Sequence, residues 1–179
     1  MQKISGIIVD PVARRKYPGT LVVNQGTLVD ILPDPDGCRS GPFILPGLID
    51  SHIHLESSML TPAAFAQQAV THGTVAVVAD PHEIANVLGI PGIDFMINNA
   101  QQVPMKFFFG APSCVPATGF ETSGATLTAH HVEALLERDD IFFLAEMMNV
   151  PGVIHQDQEV MAKLLAARKA GKRVDGHAP

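Results

Sequence analysis

Apolar positions along this chain follow two rhythms, and one gives way to the other near residue 46. Before that point, short β-type runs at 4–9, 20–23 and 27–32 are punctuated by turn residues such as Asn24-Gln25-Gly26. This pattern predicts a small antiparallel sheet within residues 1–45. Pro33, Pro35, Gly37, Gly41 and Pro42 then make a turn-rich bridge. After Pro46-Gly47, β-like runs at 48–55, 75–79, 106–109, 141–145 and 173–175 alternate with helix-length amphipathic segments. Thr61 as N-cap and Pro62 at the first helical position open a helix that runs to His72 and stops at Gly73. Thr128 opens a second helix through Arg138, and Asp157 a third that ends before Gly171.

Strand–helix alternation of this kind predicts a parallel sheet with right-handed crossovers. Residues 46–179 thus read as an α/β fold, a partial (β/α)8 TIM-type barrel of roughly the first four to five βα units. A complete barrel takes about 250 residues. Either these residues are an N-terminal portion of a longer protein, or half a barrel must bury its edges in another way.

Composition narrows the function classes. The 179 residues carry a net charge of −6 without a Lys/Arg block, which disfavours nucleic acid or an anionic membrane as the main partner. Cys38 and Cys114 are too few for a disulfide scaffold or a Cys-x-x-Cys zinc site, so a reduced setting is expected. No apolar stretch reaches membrane-spanning length and no secretory h-region opens the chain, which leads to the expectation of a soluble, cytoplasmic protein.

The chemistry concentrates at the predicted strand ends, where parallel barrels place their reactive groups. His52 and His54 are separated by one residue, so on a strand both project from one face and can share a metal ion. Glu56 keeps that parity and joins them if the strand persists so far. Asp80, His82 and Glu83 follow the second strand, Ser113 and Cys114 the third, Glu146 and Asn149 the fourth, and Asp175 and His177 the fifth.

Plain alternatives exist for several of these. Asp80 before Pro81 reads equally as a helix N-cap, with His82 and Glu83 as first-turn surface residues. Cys114 has no identifiable base beside it and reads as a packed thiol. His72, His130, His131 and His155 fall in helical or loop contexts and read as exposed or capping residues. Glu146 resists a plain reading, because a carboxylate closing the buried run Ile-Phe-Phe-Leu-Ala needs a cation or strong donors. Imidazole and carboxylate ligands without thiolate suit Zn, Mn or Fe(II), ions that activate water for hydrolysis.

Pro46-Gly47-Leu48-Ile49-Asp50-Ser51-His52-Ile53-His54 resembles the first barrel strand of the amidohydrolase superfamily, and the N-terminal sheet resembles the β-sandwich domain those enzymes carry. The strings His54-Leu55-Glu56-Ser57-Ser58-Met59-Leu60, Ala79-Asp80-Pro81-His82-Glu83-Ile84-Ala85-Asn86, Pro112-Ser113-Cys114-Val115-Pro116-Ala117-Thr118, Ala145-Glu146-Met147-Met148-Asn149 and Asp175-Gly176-His177-Ala178-Pro179 are similar to the bacterial adenine deaminases within that superfamily. The resemblance implies hydrolysis of adenine to hypoxanthine and ammonia at a centre of two divalent transition metal ions, Mn, Fe or Zn. It also implies a homo-oligomer with a small purine as its partner.

By position His52, His54, Glu146 and His177 would ligate metal, with Glu146 bridging. Glu83 is a further carboxylate candidate for the chemistry, and Glu56, Ser113 and Asp80 are candidates for the substrate side. Further ligands that the family carries on later strands have no counterpart in these residues. Two other readings remain open: another cyclic-amide hydrolase or aminohydrolase of the superfamily, many of which place a carboxylated lysine where Glu146 stands, and a non-catalytic assembly module.

Overall fold

A computed structural model describes residues 1–37 and 40–177. Cys38 and the Ala178-Pro179 end of the last motif lie outside the described residues. The chain divides into two compact units, Met1–Gly47 and Leu48–Pro179.

In the first unit, β1 (Gln2–Asp10), β2 (Arg15–Asn24), β3 (Thr27–Pro33) and β4 (Phe43–Ile44) form a four-stranded sheet in the order β3-β2-β1-β4. β1 pairs antiparallel with β2 from Gln2↔Val23 to Asp10↔Arg15. β2 and β3 are joined by Gln25-Gly26, both at positive φ (49° and 78°), the hairpin geometry in which glycine carries no Cβ penalty. β4 follows the turn-rich bridge and runs parallel to β1, where the sequence pattern predicts an antiparallel sheet. Ile7, Ile8 and Val22 are buried here, whereas β3 is exposed along its length.

The second unit runs β5 (Leu48–Ile53), α1 (Pro62–Ala69), β6 (Thr74–Ala79), α2 (His82–Leu88), α3 (Ile90–Ala100), β7 (Lys106–Ala111), α4 (Ala129–Leu136), β8 (Ile141–Met147), α5 (Val150–Ile154), α6 (Gln158–Lys169) and β9 (Arg173–Gly176). Its five strands are all parallel and lie in chain order, β5-β6-β7-β8-β9. Right-handed crossovers that always step the same way keep the helices on one face, the winding of a half-barrel. The sheet curls far enough for its two edge strands to touch, His52 Nδ1 on β5 lying 3.0 Å from Asp175 Oδ2 on β9.

Helical periodicity explains how the covered face is packed. Ile93, Met96, Ile97 and Ala100 of α3 and Val132, Leu135 and Leu136 of α4 recur at three- and four-residue spacing and are buried with Val77, Phe109, Ile141 and Leu144 of the strands. Each fully buried aliphatic side chain contributes about 1.5–3 kcal/mol. The opposite face leaves Phe142 and Val174 exposed, with Phe142 edge-on to Phe108 at 5.0 Å.

Four local outcomes depart from the sequence pattern. β5 ends at Ile53 rather than at residue 55, and Leu55–Ser58 forms a 3-10 turn closed by Met59 in the left-handed region. The helix after Thr61 tightens into a 3-10 turn at Val70–His72, which Gly73 ends at φ 90°. The second crossover holds two helices because Gly89, at φ 64° and ψ −143°, breaks the run and Pro91 restarts it in the first turn of α3. α5, capped by the Asn149 side chain on Gly152 N, occupies a segment that lacks a long periodic run.

On the rim of the second unit, Arg138 donates to both carboxylate oxygens of Asp140 at 2.8 and 2.9 Å and to Asp94 at 2.7 Å. The Arg138 hydrogen bonds hold the Asp140 carboxyl below the usual carboxylate range against a smaller opposing effect of burial. A depressed folded-state pKa stabilises the fold above the unfolded value and ceases to do so as pH falls through the folded one. Asp140→Asn is therefore expected to cost up to about 1 kcal/mol near neutral pH, the scale of part-exposed pairs. The difference from wild type should close in acid as Asp140 takes up its proton, and urea denaturation at neutral and acidic pH measures both.

Candidate metal centre

Four strands deliver side chains to one spot at their C-terminal ends. His52 is in β5, and His54 just beyond it is still extended (φ −101°, ψ 101°), so the two-residue repeat persists and both rings face the same way. Their Nε2 atoms stand 3.2 Å apart. Glu146, near the end of β8 and 5 % exposed, is the hub. Its Oε1 lies 3.3 Å from His54 Nε2 and 3.9 Å from His82 Nδ1, and its Oε2 lies 3.0 Å from His177 Nδ1 and 3.8 Å from His52 Nε2.

The protons on these rings follow from their other contacts. His54 Nδ1 sits 3.0 Å from the Asp80 carbonyl, which only accepts, so Nδ1 carries the hydrogen and donates it. His52 Nδ1 likewise donates to Asp175 Oδ2 at 3.0 Å. That leaves Nε2 of each ring able to present a lone pair, and the two Nε2 atoms face each other beside a buried carboxylate. A cation placed between them would relieve the crowding of these electron-rich atoms. Two nitrogens bound to one tetrahedral cation at about 2.0–2.1 Å stand about 3.3 Å apart, which the observed spacing matches.

Asp80 and His82 extend the cluster. Asp80 is 2 % exposed; its Oδ2 is 3.1 Å from His82 Nδ1, and its Oδ1 is buried without a hydrogen-bond partner among the described residues. Ligand atoms of His54, Asp80, His82 and Glu146 all lie within 4.8 Å of one another. Burial pulls the His82 pKa down, but the Asp80 hydrogen bond and the charges of Asp80, Glu146 and Glu56 outweigh it and leave it raised. An orphaned carboxylate oxygen, a shared lone-pair pocket and an all-imidazole/carboxylate donor set fit a divalent transition metal.

The fold thus brings His52, His54, Asp80, Glu146 and His177 together. Glu56 and Glu83 lie to one side. Because β5 stops at Ile53, Glu56 loses the strand parity and turns on the 3-10 segment to accept from Ile84 N at 3.0 Å. Burial raises its pKa, offset in part by that bond and reinforced by Glu83 and Asp80. Glu83 Oε1 accepts from Ser57 Oγ at 2.6 Å. Ser113 is 2 % exposed and lies behind Glu146, donating its hydroxyl to the Glu146 carbonyl at 2.5 Å instead of opening toward a substrate.

Asp80 does not cap α2, whose N-cap position is Pro81 without a side-chain bond. Cys114 is buried with Sγ 3.8 Å from Met147 Sδ. His72, His130 and His155 are exposed, and His131 completes a capping box with Thr128. Sequence reasoning placed His82 and Asp175 at strand ends but gave neither a role in the cluster. The signal for His82 was its two-residue offset from Asp80 at a strand end; for Asp175 it was a carboxylate at the end of the strand that reaches across to His52.

Comparison with known proteins bears on this arrangement. The amidohydrolase family profile matches residues 43–178. A protein of Methanosarcina barkeri (strain Fusaro / DSM 804) named adenine deaminase is 54 % identical over 179 residues, the whole of this chain and 32 % of its own length. Proteins of the same name from Parabacteroides distasonis and Borreliella burgdorferi are 51 % and 48 % identical, covering 98 % and 99 % of this chain and again 32 % of their own. The chain spans about a third of the length of the curated relatives it matches.

The Asp175–His52 contact has a measurable consequence. A carboxylate behind a ligating imidazole sets its tautomer and orientation. Asp175→Ala is expected to weaken metal binding about 10–100-fold with little change in secondary structure, as read by calorimetric titration of metal-free protein with Zn²⁺ or Mn²⁺.

Proposed function

The chain belongs to the amidohydrolase family, and from that premise we propose that its residues form part of an adenine deaminase, which hydrolyses the exocyclic C6–N bond of adenine to give hypoxanthine and ammonia. The observation that carries this reading is the convergence of His52, His54, Glu146 and His177 on one electron-rich spot, in a chain about half identical to proteins named for that reaction.

The half-barrel is read as the first part of a (β/α)8 barrel over residues 46–179, and residues 1–45 as strands of a composite β-sandwich. His52 and His54 would hold one divalent ion through Nε2, Glu146 would serve two ions through its two oxygens, and His177 would hold the second. Mn, Fe or Zn suits such donors. Ions bound there supply Lewis acidity and bring the pKa of water down toward neutrality.

The chain's own groups do the rest. Asp175 and the Asp80 carbonyl keep the His52 and His54 rings turned with Nε2 inward. Asp80 holds a proton on His82 Nδ1 at the mouth. Glu83, tied to Ser57, and Glu56, half-buried with its pKa raised chiefly by that burial, are the carboxyls beside the cluster suited to pass a proton to the departing amine or to meet the purine edge. Water contributes oxygen to C6, and its two protons leave on the ring system and on ammonia.

A small purine as the partner, no nucleic acid, a homo-oligomeric enzyme and a cytoplasmic setting accompany this reading. Among the described residues no helix is long and apolar enough to cross a membrane.

Incubating the full-length gene product with adenine and following hypoxanthine by chromatography tests it. Turnover should disappear with chelator and return with Mn²⁺, Fe²⁺ or Zn²⁺, and Glu146→Gln should lower it by more than about a hundredfold, beyond the loss typical of a residue that merely supports a ligand. Hydrolysis of dihydroorotate or hydantoin with no response to adenine would move the assignment to a cyclic-amide hydrolase.

A further inference from the structure

Resting on the metal-dependent reading above, we propose that Lys163 is a positioning residue for Glu146, acting through the carbonyl and hydroxyl of Ser113. Lys163 stands in the buried stripe of α6, with Val160, Ala166 and Ala167, at a place where an aliphatic residue would be expected. It is 8 % exposed, and its desolvation pulls its pKa down. No carboxylate pairs with it by hydrogen bond among the described residues. Nζ donates instead to the Ser113 carbonyl at 2.9 Å and the Leu127 carbonyl at 2.8 Å.

Those two acceptors are the two ends of the long excursion from β7 to α4. One ammonium therefore clamps the segment where it leaves the sheet and where it returns. The start of the segment matters most. β7 and β8 are in register as far as Ala111↔Leu144. The next residue, Pro112, has no N–H, so a ladder bond cannot be supplied there. Ser113 Oγ–H takes over that role by donating to the Glu146 carbonyl at 2.5 Å. The path Lys163 Nζ–H to Ser113 C=O, and Ser113 Oγ–H to Glu146 C=O, fixes the backbone of the one residue whose carboxylate meets His52, His54, His82 and His177.

Lys163→Met keeps the aliphatic stem and deletes the donors. In the full-length gene product this substitution is expected to lower kcat about tenfold or more with adenine KM nearly unchanged, and to weaken Mn²⁺ or Zn²⁺ binding by a similar factor in calorimetric titration. Ser113→Ala should have the same two effects. The double variant should be no worse than the more impaired single one, because both act along one path.

Unchanged kcat and metal affinity with only a lower melting temperature would overturn the proposal, and so would additive losses in the double variant. If Lys163→Met does not fold, Ser113→Ala alone decides, with unaltered metal affinity overturning the proposal. A wild-type protein that binds metal but leaves adenine intact would defeat the deaminase assignment, while the metal titrations of the variants would still decide the role of Lys163.

Discussion

Everything at the mouth of the half-barrel follows from one electrostatic constraint. Glu146 is a buried carboxylate at a strand end, and the His52 and His54 rings beside it can each turn an Nε2 lone pair inward because Nδ1 is already committed as a donor. Negative charge and lone pairs crowded into a poorly solvated space repel one another strongly, since weak screening magnifies such interactions. A cation relieves the repulsion. The orphaned Asp80 Oδ1 belongs to the same situation, being a buried acceptor without a hydrogen-bond donor among the described residues.

The sheet makes that crowding possible. Parallel strands in chain order put every strand's C-terminal end on the same rim, and the curl carries the rim round until the first and last strands meet. Helices packed on the outer face hold the strands to that curvature through the Ile93, Val132, Leu135 and Leu144 core. The inner face is lined by apolar residues such as Phe142 and Val174 that remain solvent-accessible. The rim is therefore backed by a close-packed layer on one side only, and a hydrogen bond from the Ser113 hydroxyl ties the Glu146 carbonyl in addition.

Residue pattern carried much of this. Each parallel strand was legible because β-branched and aromatic runs bounded by Gly and Pro leave few alternatives, and the helices after Thr61, Thr128 and Asp157 were legible from their caps. The convergence of His52, His54, Glu146 and His177 was legible from strand-end position and parity. What escaped depended on backbone events with weak local signals. Glu56 left the cluster because β5 stops at Ile53, and parity has meaning only inside a strand. Gly89 divided one crossover helix into two, since a single glycine in an apolar run also fits an uninterrupted helix. Ser113 and Asp175 act through partners far away in the chain, which a linear reading cannot supply.

The His52–Asp175 contact joins residues 123 positions apart. Neighbouring strands pair across much shorter loops, so they can form progressively as the chain condenses, whereas this contact must await the last strand and the largest closure entropy in the unit. An ion that bound only the finished rim would stabilise the whole folded unit by mass action, so that affinity for the ion and stability of the fold would rise and fall together.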